Sequence, residues 1–103
     1  MTSTIIQWNL NGFYCQLEQL QLLLSRHNPI IVCLQETNFP SNHVGKLRQY
    51  IAYNKNRTTA VHASGGVATY IKEHIPQMEI TLNTPLEALS VSVLLSVQLC
   101  ICN

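Results

Sequence analysis

Asn9 and Glu36 are the residues of this 103-residue chain best placed to do chemistry. Each stands just past a stretch that reads as a β-strand. Residues 4–8 (Thr-Ile-Ile-Gln-Trp) run into Asn9-Leu10-Asn11-Gly12, and residues 30–34 (Ile-Ile-Val-Cys-Leu) run into Gln35 and Glu36. Open α/β sheets carry their ligand sites at the C-terminal ends of strands. One carboxylate with an amide oxygen nearby suits Mg²⁺, which accepts one or two protein ligands, keeps several waters and leaves room for a phosphate. The same residues also fit plain structural duty, Asn9 and Asn11 as turn formers and Glu36 as a loop acid facing water. Spacing alone leaves both readings open.

Composition narrows the chemistry further. All five acids are Glu and there is no Asp. A Ser-His-Asp triad, an aspartyl nucleophile and an Asp metal ligand are therefore excluded within these residues. The formal charge is +1, so no whole-chain field advertises a polyanionic or polycationic partner. Charge placement is more telling. No acid lies between Glu36 and Glu73, while Lys46, Arg48, Lys55, Arg57 and Lys72 all fall there. Such segregation fits a surface for phosphate contact, or equally a solvated loop region. Charged residues are 11% of the chain against about 25% in an average domain, which predicts that part of the surface is covered by more protein.

Other candidates are weaker. Cys100-x-Cys102 lacks a second Cys/His pair at zinc spacing, so the cysteines are expected to be reduced and mostly buried. His27, His43, His62 and His74 show no i, i+4 pairing and read as surface or loop residues. Gly65-Gly66 has no Gly-Lys-Ser/Thr sequel and is no phosphate-cradling loop. The first 25 residues hold no Lys or Arg, which argues against a secretory signal. No apolar run is long enough to span a bilayer. The expectation is an intracellular protein, in nucleus and cytoplasm, with no membrane partner.

Several elements must position the two loops. Phe13, Leu17, Leu20 and Leu24 repeat on one face of a helix over residues 13–27, stopped by Asn28-Pro29. Strand, helix and uninterrupted apolar strand make a crossover unit that favours parallel pairing. Adjacency of the two strands is left open. A short helix is expected near residues 44–50, a polar loop over 54–64, a strand over 66–71 and a weaker strand over 78–82. From Leu89 to Ile101 apolar residues alternate with polar or smaller ones, predicting one long strand or a hairpin near Ser96. The chain halts directly after that apolar β segment, which reads as a cut through a domain.

Gln7-Trp8-Asn9-Leu10-Asn11-Gly12 resembles the first motif of the endonuclease/exonuclease/phosphatase superfamily, Leu34-Gln35-Glu36-Thr37 its second, and Ser64-Gly65-Gly66-Val67-Ala68-Thr69-Tyr70 the strand that follows. The nearer likeness is to the endonuclease domain of non-LTR retrotransposons of the jockey and LINE type. An Arg-bearing loop at Asn54–Arg57, the run His62–Ala68 and a later Leu-Glu-Ala at Leu86–Ala88 occur in that order. The resemblance implies an α/β sandwich of the DNase I-like type, here a partial two-layer piece of a four-layer α/β/β/α domain, with residues 1–103 as its N-terminal part. It implies Mg²⁺ (or Mn²⁺) on Glu36, with Asn9 holding the metal or the scissile phosphate. Asn11 stands where related nucleases place an Asp, so its part in coordination is weak. Arg57, and more weakly Lys55, would face DNA.

The same resemblance implies partners: DNA, the remainder of the endonuclease domain and a downstream reverse transcriptase. Family members complete their site with Asp-x-Asn and Ser-Asp-His motifs, and the absence of Asp means that neither is present here. The expectation is the metal-binding part of a DNA-nicking enzyme, inactive alone. The alternatives are another phosphatase or phosphodiesterase of the superfamily, and a truncated, non-catalytic product.

Overall fold

The computed structural model describes residues 3–57 and 64–103. Strand β1 (Ile5–Asn9) leads into helix α1 (Leu17–His27), then β2 (Ile31–Gln35), β3 (Tyr50–Lys55) and β4 (Val67–Lys72). A second group follows: β5 (Gln77–Ile80), β6 (Ser90–Leu94) and β7 (Gln98–Cys102). The first sheet has the order β1-β2-β4-β3, and the second is β5-β6-β7. β1 and β2 are adjacent and parallel, as a crossover through α1 favours. All other pairings are antiparallel. The result is an α/β sandwich of helix, sheet and sheet.

Strand parity explains the layers. Val32, Leu34, Ala68 and Tyr70 point to the helix side, where Leu20, Phe13, Leu10, Phe39 and Leu47 complete one core. Ile31, Cys33 and Ile71 point the other way, against Leu89, Val91 and Val93 beneath the second sheet. β2 and β4 are thus buried on both faces, which is why β2 reads as an unbroken apolar run.

Four expectations need correction. The helix starts at Leu17 because Phe13 leaves the helical pattern and plugs the core, 1% exposed. No helix forms over residues 44–50. Gly45 packs on Phe13, Leu47 turns inward, Gln49 takes a left-handed φ of 74°, and Tyr50 already belongs to β3. The expected polar loop therefore begins only after Lys55, and its residues 58–63, including His62, lie outside the described residues. The cysteines are also not mostly buried. Only Cys33 is, with its thiol pKa pushed up by desolvation, whereas Cys15, Cys100 and Cys102 are exposed. In β7, Leu99 and Ile101 pair opposite the inward Val93 and Val91, so Cys100 and Cys102 share the outer face with Ser92 and Ser90. The alternating segment is indeed a hairpin, turning over residues 95–97.

The helix-side core has one tight point. A methyl on Gly45 would lie 2.5 Å from a Phe13 ring carbon, and that ring is confined by Phe39 at 5.0 Å and Tyr70 at 6.2 Å between centroids. The Tyr70 hydroxyl also donates to the Gly45 carbonyl at 2.6 Å. Gly45→Ala is expected to destabilise the fold by about 1–3 kcal/mol, the usual range for overpacking, read as a lower urea midpoint.

Candidate functional site

Asn9 is the last residue of β1 and pairs across the ladder with Gln35, the last residue of β2. Paired residues direct their side chains to the same sheet face, here the face toward the second sheet. Beyond the ladder the two chains stay stitched together. Leu10 donates to the Gln35 carbonyl at 2.9 Å, Gly12 to that of Glu36 at 2.8 Å, and Phe13 to that of Thr37 at 2.9 Å. Asn9 at the end of β1, and Asn11 and Glu36 in the adjoining loops just beyond the ladder, therefore stand exposed at one end of the sheet. Asn11 and Glu36 both have left-handed backbones, at φ 49° and 52°. For Asn that is common, but for Glu it is unfavourable, and such strain gathers at working sites.

A third loop closes on the same end. Gly65 and Gly66, at φ 66° and 87°, bring the entry to β4 against Thr37 and Asn38. Asn38 donates its N–H to the Gly65 carbonyl at 2.9 Å and accepts the Gly65 N–H on its side-chain oxygen at 2.8 Å. The Thr37 hydroxyl is buried there without a hydrogen-bond partner among the described residues. Glu87 ties the arrangement together. One carboxylate oxygen accepts the Gly66 N–H at 3.0 Å and the other accepts from Arg57 Nε in an ion pair. The Arg57 hydrogen bond, then the Gly66 one, holds the Glu87 carboxyl below its usual range. Arg57 is held protonated chiefly by Glu87, with Glu36 adding a smaller pull.

The structure thus brings Asn9, Asn11, Glu36 and Arg57 to one rim. Lys55 is turned aside, donating to the carbonyls of Thr84, at 2.9 Å, and Leu86. Two contributors went unrecognised in the sequence. Glu87 lies within the Leu-Glu-Ala segment that carries the family likeness, which was the available signal. Asn103 carried none. Its side-chain amide donates to the carbonyls of Leu34 (3.2 Å) and Ala68 (2.8 Å) and to Thr69 Oγ1 (3.1 Å), and its oxygen accepts from Gln35 at 2.7 Å.

The donors fit a hard divalent ion. Glu36 is an exposed carboxylate with no ion-pair partner among the described residues, and the neighbouring donors are amides. No group of three or more His, Cys, Asp or Glu that could hold a metal ion occurs among the described residues. One carboxylate with water-filled positions is what Mg²⁺ uses.

The profile of the Endonuclease/Exonuclease/phosphatase family matches residues 6–96, from β1 into the final hairpin. The chain belongs to this family. It is 28% identical over 81 residues to the probable RNA-directed DNA polymerase from transposon X-element of Drosophila melanogaster, a match that covers 79% of this chain and 9% of that protein. Among solved structures it is similar to the 3′ phosphatase NExo from Neisseria, bound to a product DNA hairpin. The TM-score is 0.57 at 20% identity, over 92% of this chain and 39% of that one, a likeness in fold. The chain therefore spans under a tenth of the curated relative's length and about two fifths of the structural neighbour's.

Glu87's lowered pKa gives the family rim a pH signature. Its carboxyl titrates lower folded than unfolded, so its stabilisation is present above the ordinary carboxylate pKa and is lost as pH falls through the folded value. Glu87→Gln is expected to lower the melting temperature at pH 7 by an amount equivalent to at most about 1 kcal/mol. The gap between variant and wild type should close as the medium is acidified below about pH 4.

Proposed function

We propose that this chain is the metal-binding part of a Mg²⁺-dependent nuclease domain that cleaves phosphodiester bonds in DNA, within a retrotransposon polyprotein that also carries a reverse transcriptase. The observation that carries this reading is the pairing of Asn9 with Gln35, which sets Glu36 beside the Asn9–Asn11 loop at one end of a parallel strand pair. Membership of the family, a transposon polymerase as relative and a DNA-bound phosphatase as structural neighbour support it.

Glu36 would hold the ion, with Asn9 orienting either the ion or a phosphate oxygen and Asn11 contributing weakly. Bound Mg²⁺ would supply charge stabilisation for a phosphate under attack. Arg57, clamped by Glu87, lends the rim a positive group for the strand. With no Asp in the chain, the groups that orient water and stabilise the leaving oxygen come from further polypeptide in the family pattern. The proposed setting is intracellular, where the target DNA lies.

Two nicking assays on supercoiled plasmid test this. The 103-residue chain alone should leave the plasmid intact with Mg²⁺ present. A chain extended through the Asp- and His-bearing motifs should nick it, and Glu36→Gln in that longer chain should cut the rate at least about 100-fold, the scale of losing a charge-stabilising group. Unchanged nicking by the Glu36→Gln protein would sink the assignment.

A further inference from the structure

The basic residues that cluster in the sequence divide between two ends of the molecule. Lys55 and Arg57 face the 84–87 segment, whereas Lys46, Arg48 and Lys72 line one groove at the other end of the first sheet. β4 runs antiparallel to β2, so Val67 sits opposite Gln35 while Lys72 lies beside the start of β2, bonded through its N–H to the Ile30 carbonyl at 2.9 Å. The two ends are separated by roughly 17 Å, the length of a five-residue strand.

Lys72 is the one buried charged side chain among the described residues, about 9% exposed. Its ammonium donates to Gln49 Oε1 at 3.2 Å and lies 4.8 Å from the centre of the Tyr50 ring. Both partners are neutral, and no described carboxylate is within ion-pair distance. An ammonium whose only partners are neutral favours any arrangement that brings an opposite charge to it. The groove it borders has a volume of about 610 Å³ and opens between the end of α1 and residues 46–50. Lys46 and Arg48, on either side of the buried Leu47, are exposed and both line the groove, and no acid lines it. Glu73 is exposed next to Lys72 but is not part of the lining. The carbonyl end of α1 contributes at most about half a negative charge, against three full positive ones.

We infer that this groove seats a phosphate group, at a site separate from the Asn9–Glu36 rim. Three cations around one opening match an anion with several oxygens, and Arg48 adds the forked donor set that phosphate accepts in pairs. The phosphate can belong to a nucleic-acid backbone or be free in solution.

Amide NMR of the 103-residue chain at low salt, titrated in one arm with inorganic phosphate and in the other with a short single-stranded DNA, tests the site. Shifts at residues 46–50 and 72 are expected, with affinity falling at least tenfold in the Lys46→Ala/Arg48→Ala double variant. Both of those residues are exposed, so that variant keeps the core intact, and Lys72→Met is read beside it. Response to phosphate alone assigns free phosphate, and response to the oligonucleotide assigns a strand backbone. No shift at these amides in either arm, or equal affinity in wild type and both variants, overturns the site. The titrations are run without divalent metal and read only at residues 46–50 and 72, which separates this outcome from the fate of the metal reading.

Discussion

Ile31, Val32, Cys33 and Leu34 are buried at four successive positions, so β2 has apolar matter against both faces. Val32 and Leu34 meet the helix-side core, and Ile31 meets the second sheet. Burying such side chains is worth about 1.5–3 kcal/mol each for the aliphatic ones. A slip of one residue would swap the side chains fitted to the helix-side core with those fitted to the second sheet, so packing on both faces enforces the register of β2 against β1 and β4. That register sets Asn9 opposite Gln35 and Gln35 opposite Val67. The geometry of the rim is therefore a product of packing well below it.

The rim itself sorts its charges. Glu87 is occupied by Arg57 and the Gly66 amide, and Arg57 lies so close to Gly65 that a methyl there would meet the guanidinium carbon at 2.5 Å. Glu36 has no such partner among the described residues. One acid thus builds the loop while the other stays open to solvent. A carboxylate whose two oxygens each already accept a bond from its own chain, one of them from a cation, is less available to an ion, which is why Glu36 rather than Glu87 is the metal candidate.

Strong periodicity made most of the scaffold legible. The apolar run of β2, the i, i+4 stripe of α1 and the two-residue alternation of the final hairpin each translate into one structural class. β3 escaped because Asn54 and Lys55 are poor strand formers, and its neighbours are only half-buried, so it owes its shape to pairing along β4. The exposure of Cys100 and Cys102 hung on strand parity, which no local signal sets. At the rim, Asn9 and Glu36 could be singled out because each follows a readable strand. The clamp of Glu87 on Arg57 joins residues thirty apart through loops without period, and Asn103 acts only by crossing to the opposite sheet.

Glu36 occupies a backbone well in which a side chain costs of the order of 1–2 kcal/mol and glycine costs almost nothing. Drift toward tighter folding would favour removing that carboxylate altogether. A copy of this sequence released from any need to hold an ion could gain thermal resistance by accepting glycine at position 36. Under the proposed metal role, durability and chemistry pull in opposite directions at this one residue.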